Sequence, residues 1–229
     1  MEVILSNERG TGKFNWLYSR HSFSFANYYD PKRTGVSALR VINDDRVIAG
    51  GGFATHAHQD MEIISYVKSG TIEHKDNMGN VQSLPAGEFQ LMSAGTGVTH
   101  SEYNPSAHDP LEFLQIWIVP NERGGTPGYQ QKQFTREQGL QLIASPDGAG
   151  GSLHMRQDAK LYELVLEEDT TKSYKPAPGR TLYVHVIEGE LLFNDEILRA
   201  GDGASLSPEA AILLIAQNAD VHALLFDLP

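Results

Sequence analysis

Short segments of alternating side chains, separated by turn residues, follow one another along most of this chain. In the clearest of them, residues 111–119, Gln115 and Trp117 fall on one face of a strand, while Leu114 and Ile116 fall on the other. Both faces are largely apolar, which is typical of a strand that is buried on both sides. Many short strands with turns about every 8–12 residues indicate a β-sandwich or a β-barrel.

The second half of the chain repeats the pattern of the first half. Residues 184–190 (VHVIEGE) are similar to residues 64–71 (ISYVKSGT), and residues 199–202 (RAGD) are similar to residues 84–88 (LPAGE). The sequence therefore predicts an all-β fold of two packed barrels with a few short helical turns. We expect an N-terminal barrel over residues 1–133 and a C-terminal barrel over residues 134–229.

Three stretches are predicted to interrupt this pattern of strands. Asp44 and Asp45 have the composition of a turn between two strands. Residues 121–133 are polar and rich in glycine, which is typical of a linker. Residues 135–143 have weak helical character and predict one or two turns of helix.

The composition limits the partners that this protein can have. The chain has 229 residues, a formal net charge of −11 and no cysteine. Nucleic acids and anionic membranes both require a basic surface, so neither is an expected partner. The segment Met1 to Thr11 lacks a signal-peptide pattern, and no stretch approaches the ~18–20 apolar residues of a membrane span. We expect a cytoplasmic monomer in which the two barrels pack against each other.

Two pairs of residues have the chemistry of metal ligands. His56 and His58 form one pair, and His100 and Glu102 form the other. A spacing of two residues places both members of a pair on the same face of a strand. If the two pairs meet, three imidazoles and one carboxylate surround a point, which is a ligand set for a divalent transition metal. Four protein ligands leave positions open for water, dioxygen or substrate, as catalytic sites require.

The other candidate residues give weaker signals. His74 lies beside a turn and is expected to be solvated rather than to bind a metal. Phe53, Gln115 and Trp117 are candidates for the lining of an aromatic pocket, although packing in a core is the more common role of such residues. The histidines of the second half form no such pair: His154, His185 and His222. The second barrel is therefore predicted to lack a metal.

Several motifs in the first half resemble those of known proteins. The spacing Gly50-x5-His56-x-His58-x3-Glu62 resembles the first cupin motif, and residues 87–104 resemble the second, with Ser93 where many cupins have proline. Over residues 15–135 the chain more narrowly resembles the pirin family, in particular the bacterial pirin-like quercetinases. The segments that carry this resemblance are residues 21–31 (HSFSFANYYDP), 55–62 (THAHQDME), 85–95 (PAGEFQLMSAG), 99–104 (THSEYN) and 115–117 (QIW).

This resemblance implies a bicupin fold of two jelly-roll-type barrels, with one divalent transition metal (iron, nickel, copper, cobalt, manganese or zinc) in the N-terminal barrel only. It implies metal ligation by His56, His58, His100 and Glu102. It also implies quercetin 2,3-dioxygenase activity, in which dioxygen cleaves a flavonol with release of carbon monoxide, and Glu102 is the candidate general base. Generic cupins use the glutamate of the first motif, here Glu62, as the fourth ligand. We favour Glu102, because it shares a strand face with His100, but both stay open.

Two other functions are compatible with the sequence. The first is a metal-binding regulatory or sensor protein, as some pirins are thought to be, in which flavonol cleavage would be incidental. The second is an isomerase or another small-molecule activity, because the cupin architecture alone supports many reactions. The complete set of ligands with open positions favours an enzyme.

Overall fold

The structure of the protein is a computed structural model that describes all residues from Met1 to Pro229. Its helical content is limited to two short 3-10 helices, Ser6–Glu8 and Ala149–Gly151. Neither has the length and apolar character that a membrane crossing requires. The all-β class predicted from the alternating side chains is confirmed.

The first half of the chain contains all strands of two sheets and one strand of a third. Its strands are β1 (Glu2–Ile4), β2 (Gly10–Lys13), β3 (Leu17–His21), β4 (Leu39–Val47), β5 (Gly52–His58), β6 (Glu62–Ser69), β7 (Thr71–Asp76), β8 (Val81–Pro85), β9 (Glu88–Ser93), β10 (Val98–Tyr103), β11 (Leu111–Ile118) and β12 (Gly128–Gln133). The first large sheet has the order β12-β9-β6-β11-β4-β3-β2, and the first small sheet has the order β5-β10-β7-β8. These two sheets form the first barrel.

The second half repeats this arrangement. Its strands are β13 (Gly139–Ser145), β14 (Leu153–His154), β15 (Lys160–Leu166), β16 (Thr171–Tyr174), β17 (Thr181–Glu188), β18 (Glu190–Phe193), β19 (Glu196–Arg199), β20 (Gly203–Leu206), β21 (Ile212–Ala216) and β22 (Val221–Leu228). The second large sheet has the order β1-β20-β17-β22-β15-β13-β14, and the second small sheet has the order β16-β21-β18-β19. Each strand position in the sheets of one barrel therefore has a counterpart in the other barrel.

The glycines of the repeated motifs occupy equivalent places in the two barrels. Gly70 follows β6 and Gly189 follows β17, and both have a φ of +83°. Gly87 follows β8 and Gly201 follows β19, and both have a φ of +85°. Positive φ is readily adopted by glycine and is costly for most other residues. The repeated motif therefore specifies the same turns in both copies.

The first strand of the chain lies in the second large sheet. Residues 2–4 of β1 pair with residues 203–205 of β20, and β1 occupies the edge position that β12 fills in the first large sheet. The domain boundary between residues 133 and 134 stays a prediction. The strand pairing adds that β1, the N-terminal strand, completes the second large sheet.

The largest apolar core lies between the two barrels. A cluster of 22 buried residues includes Ile64 and Leu114 of the first large sheet together with Leu161 and Phe226 of the second. A second cluster, of 15 buried residues, fills the interior of the second barrel. The interior of the first barrel has only two small apolar clusters, of 7 and 4 buried residues. The first barrel therefore depends on its outer face for most of its apolar burial.

Strand β4 runs without a break through Asp44 and Asp45, so the predicted turn at these residues is wrong. Asp44 forms an ion pair with Lys68, whereas Asp45 is buried on the opposite face, toward the interior of the first barrel. Pairing with β3 on one side and β11 on the other overrides the turn preference of two consecutive aspartates.

Two further local predictions are also wrong. The stretch 121–133 is not only a linker, because β12 within it pairs with β9 along residues 88–93. The stretch 135–143 forms no helix, because its second part belongs to β13, which pairs with β15. In both places the neighbouring strand offers backbone partners that outweigh a weak local preference.

We expect Gly189→Ala to destabilise the protein much more than Gly179→Ala. Both glycines have nearly the same positive φ, and for alanine such a conformation costs roughly 1–2 kcal/mol. A Cβ at Gly189 would also lie 2.1 Å from the carbonyl oxygen of Asp220, whereas a Cβ at Gly179 meets no atom within 4 Å. This clash adds about 1–3 kcal/mol. Urea denaturation measures both losses, and equal losses would contradict the steric argument.

Candidate metal centre

The inner face of the first large sheet carries a row of polar side chains. Five neighbouring strands contribute one residue each at the same level: Gln90 (β9), Ser65 (β6), Gln115 (β11), Asn43 (β4) and His21 (β3). All five are buried, and His21 Nδ1 lies 2.7 Å from Asn43 Oδ1. Buried polar groups destabilise a fold unless they are hydrogen-bonded. Their alignment in one row across the barrel indicates a binding site.

The first small sheet contributes three imidazoles that lie close together. In the pairing of β5 with β10, His56 lies directly opposite His100. The ring centroids of His56 and His100 are 4.4 Å apart, those of His56 and His58 are 4.7 Å apart, and those of His58 and His100 are 4.9 Å apart. The structure therefore brings three of the four predicted ligands into one group whose nitrogen atoms lie within 4.8 Å of one another.

Glu102 belongs to a second group that shares His100. Strand β5 has one additional residue between Phe53 and His56, so Glu102 lies opposite Phe53 on that side and opposite His74 on the other. Ligand atoms of His74, His100 and Glu102 also lie within 4.8 Å of one another, and all three residues are buried. Glu102 Oε1 accepts a hydrogen bond of 3.4 Å from Ser65 Oγ.

Two of the imidazoles have a ring nitrogen that makes no hydrogen bond within the protein. His56 Nδ1 donates a hydrogen bond of 2.8 Å to the carbonyl oxygen of Ala54, which leaves the Nε2 lone pair of His56 available. His100 Nε2 is buried and has no hydrogen-bond partner in the protein. A buried nitrogen without a partner is costly, and a cation beside it removes that cost. The donor set therefore fits a divalent transition metal.

Burial sets the protonation of these ligands. The pKa of His58 is lowered to about 4 by burial and by the neighbouring His56. The pKa of His100 is lowered to about 2 by burial and by the surrounding histidines. Burial, together with the nearby carboxylate of Asp45, raises the pKa of Glu102 to about 7. At neutral pH, His58 and His100 are neutral and free to bind a metal, whereas the carboxylate of Glu102 lacks a compensating positive charge.

Glu62 lies on the opposite face of its strand from the histidine group. It has the same parity in β6 as Ile64 and therefore faces the core between the barrels. Its carboxylate accepts hydrogen bonds from Ser93 Oγ at 2.8 Å and from the backbone N–H of Arg156 at 3.2 Å. Glu62 thus connects the two barrels.

His74 is buried and connects His100 to Asp76, so the prediction that it is solvated is wrong. Its Nε2 lies 3.0 Å from Asp76 Oδ2, and its Nδ1 lies 3.5 Å from His100 Nδ1. His74 and Asp76 form a third pair with a spacing of two residues, adjacent to His100 and Glu102 in the sheet. This spacing is visible in the sequence, but the turn residues that follow β7 led to the prediction that His74 is exposed.

A cavity of about 430 Å³ opens beside the histidine group. Phe53, Gln115 and Trp117 line it together with His56 and His58, so the pocket alternative holds for these three residues rather than the more common role in a core. The ring of Trp117 meets the ring of His58 edge-on, with the centroids 4.9 Å apart. The cavity is therefore continuous with the candidate metal ligands.

One amide and one carboxyl side chain of the cavity wall were not predicted from the sequence. Asn43 and Asp45 line the cavity from β4, and burial raises the pKa of Asp45 to about 7. The available signal was their alternation with Ile42 and Asp44, which places both on the inner face of the strand.

The second barrel has no comparable group of ligands. Its strands β16 and β21 correspond to β5 and β10, and neither of them carries a histidine or a carboxylate. Leu214 and its neighbours Ile212 and Ala216 belong to the apolar cluster that fills this barrel. Its interior is thus packed with hydrocarbon.

Comparisons with known proteins agree with this geometry. The family profile described as Pirin matches residues 4–118, and the profile described as Quercetinase C-terminal cupin domain matches residues 142–228. A protein of Escherichia coli K12 named quercetin 2,3-dioxygenase is 51% identical over 224 residues, which cover 98% of this chain and 96% of that relative. A pirin-like protein of Caulobacter vibrioides is 38% identical, with 90% of each chain covered.

Solved structures give the same relationship. The crystal structure of the bacterial pirin YhhW of Escherichia coli in complex with nickel(II) matches with a TM-score of 0.96 and 50% sequence identity, and covers 100% of this chain and 98% of that chain. Both barrels are thus matched by proteins of one family. The chain belongs to the pirin family and has its bicupin fold.

Proposed function

We propose that this protein is a metal-dependent dioxygenase that cleaves flavonols such as quercetin with dioxygen and releases carbon monoxide. The observation that carries the proposal is the group of three imidazoles, one of them with a buried nitrogen that lacks a partner, at the wall of a cavity. The name of the Escherichia coli relative, quercetin 2,3-dioxygenase, supports the same activity.

The proposed metal ligands are His56, His58, His100 and Glu102. Imidazole and carboxylate ligands suit iron, nickel, copper, cobalt, manganese and zinc, and the nickel(II) complex of YhhW shows that a closely similar protein binds one of these. When bound, the ion supplies Lewis acidity that lowers the pKa of a substrate hydroxyl. We place a single ion in the first barrel, because the interior of the second is apolar.

Glu102 is the proposed acceptor of the proton from the 3-hydroxyl of the flavonol. A carboxylate beside the substrate hydroxyl can act as a general base. The protein holds the carboxylate of Glu102 with one hydrogen bond, of 3.4 Å from Ser65, so this side chain is less constrained than the imidazoles. His56, His58 and His100 would hold the ion, because they lie on paired strands that fix their relative positions.

The cavity has the size and chemistry expected for a hydroxylated aromatic compound. Its volume of about 430 Å³ lies within the range of roughly 300–1,000 Å³ that is usual for small-molecule sites. The rings of Phe25 and Trp117 meet edge-on, with their centroids 5.4 Å apart, and both belong to the wall. Asn43, Asp45 and Gln115 supply polar groups to the same wall. A flavonol has both the aromatic rings and the hydroxyl groups that such a wall can contact. The monomeric state and the cytoplasmic location stay predictions.

We expect His56→Ala to abolish both metal content and flavonol turnover, because it removes one of three imidazoles around the ion. His154→Ala is the matched control, since His154 is exposed and lies in the second half of the chain. Elemental analysis of the purified variants measures the metal, and an oxygen electrode measures turnover. Full flavonol cleavage by protein freed of metal would refute the proposal.

The variants Glu102→Gln and Glu62→Gln distinguish between the two candidate carboxylates. We expect Glu102→Gln to weaken metal binding by at least about tenfold, because a neutral amide is a poorer ligand than a carboxylate. Glu62→Gln is expected to keep the metal, since its oxygen contacts Ser93 and Arg156 instead. Competition with a chelator measures both affinities. The opposite ranking would assign the fourth ligand to Glu62.

A further inference from the structure

A chain of buried side chains lies behind His100, on the side away from its unpaired nitrogen. His100 Nδ1 lies 3.5 Å from His74 Nδ1, and His74 Nε2 lies 3.0 Å from Asp76 Oδ2. The exposed fractions of His74, His100 and Asp76 are 0%, 1% and 8%. Little water can therefore compete for these contacts. The neighbouring side chains decide which ring nitrogen of each imidazole carries the proton.

Asp76 is fixed as the acceptor at the far end of this chain. Its Oδ1 accepts the backbone N–H groups of Met78 at 2.9 Å and of Asn80 at 3.0 Å. Its Oδ2 accepts the side-chain amide of Asn80 at 2.8 Å. These bonds, with the one from His74, hold the pKa of Asp76 below its usual value, although burial alone would raise it. An ionised carboxylate can only accept, so His74 must donate its Nε2–H.

The direction of the remaining hydrogen bonds follows from this end. With its proton on Nε2, a neutral His74 has a lone pair on Nδ1. That lone pair accepts the Nδ1–H of His100, and the Nε2 of His100 is then left without a proton. The predicted consequence coincides with the nitrogen that has no partner in the protein. His56 reaches the same tautomer by donating to a backbone carbonyl.

We propose that His74 and Asp76 are positioning residues that hold His100 in the tautomer whose Nε2 lone pair points at the metal. The inference rests on the metal centre proposed above and extends it to two residues outside the ligand set. Side chains that orient a ligand imidazole commonly change metal affinity by about 10–100-fold when they are removed.

The variant Asp76→Asn tests the direction of the relay. The amide oxygen replaces Oδ1, where two backbone N–H groups require an acceptor, so the NH₂ group faces His74 and the side chain of Asn80. The Asn80 amide can turn its own oxygen toward this NH₂ group, whereas the ring of His74 has to change its tautomer. His74 must then accept on Nε2 and donate from Nδ1, and His100 must carry its proton on Nε2. We expect nickel(II) affinity, measured by competition with a chelator, to fall about 10–100-fold. In ¹⁵N NMR spectra of the metal-free full-length protein, the protonated nitrogen of His100 should change from Nδ1 to Nε2.

Asn80→Ala is the matched control for loosening of the turn. It removes one donor to Asp76 but keeps the carboxylate, so the tautomer of His100 should stay unchanged and the affinity should stay within about threefold, well below the effect of a lost orienting group. His74→Phe is a second test in case Asp76→Asn does not fold, because phenylalanine keeps a ring against Tyr129, whose centroid lies 4.8 Å from that of His74. We expect it to lower nickel(II) affinity and to leave His100 as a mixture of tautomers.

Three results would overturn the inference: a proton on His100 Nε2 in the metal-free wild-type protein, an unchanged tautomer in Asp76→Asn, or an unchanged nickel(II) affinity in His74→Phe. None of these readouts involves a flavonol. A protein that behaves as expected here but does not cleave flavonols would therefore refute the proposed activity alone.

Discussion

The apolar contact between the two large sheets is the interaction on which the rest of this structure depends. A barrel whose interior is lined with buried amide, hydroxyl, carboxyl and imidazole groups gains little hydrophobic stabilisation from that interior. The cluster of 22 residues between the barrels supplies apolar burial on the outer face of the same strands. The first barrel can thus keep a polar interior because its outer face is covered by the second.

The same topology serves two purposes in the two barrels. Both contain a seven-stranded and a four-stranded sheet with equivalent strand orders. In the second barrel, Leu214 and Val184 fill the interior with hydrocarbon. In the first, the equivalent strands carry His100 and Ser65, and a cavity remains between the sheets. The two copies therefore differ in role. The first barrel has a polar cavity in place of an apolar interior, and the second barrel, which is packed with apolar side chains, stabilises the first.

The parts of this fold that depend on local pattern were predictable from the sequence. The spacing of two residues in His56–His58 placed both side chains on one face without any knowledge of the neighbouring strands. The glycine motifs identified the duplication, because a turn with positive φ restricts the residue that can occupy it. The all-β class followed from the same alternation.

The parts that failed depend on contacts between strands distant in sequence. The additional residue in β5 places Glu102 opposite Phe53, and the pairing of β10 with β7 places it opposite His74. No spacing within β10 shows either neighbour. His74 was predicted to be solvated because a turn follows it closely. The consecutive aspartates of β4 mislead for a related reason: local preference conflicts with structure most often where side chains serve a site.

Alternation along a strand explains why the site and the core cannot vary independently. In β6, Ser65 faces the polar interior while Ile64 and Tyr66 face the core between the barrels, and in β11 Gln115 faces the interior while Leu114 faces that core. A shift of either strand by one residue would exchange the two faces and remove both at once. The register that packs the outer face is therefore the same register that aligns the polar row, so the packing between the barrels fixes the polar wall that faces the metal ligands.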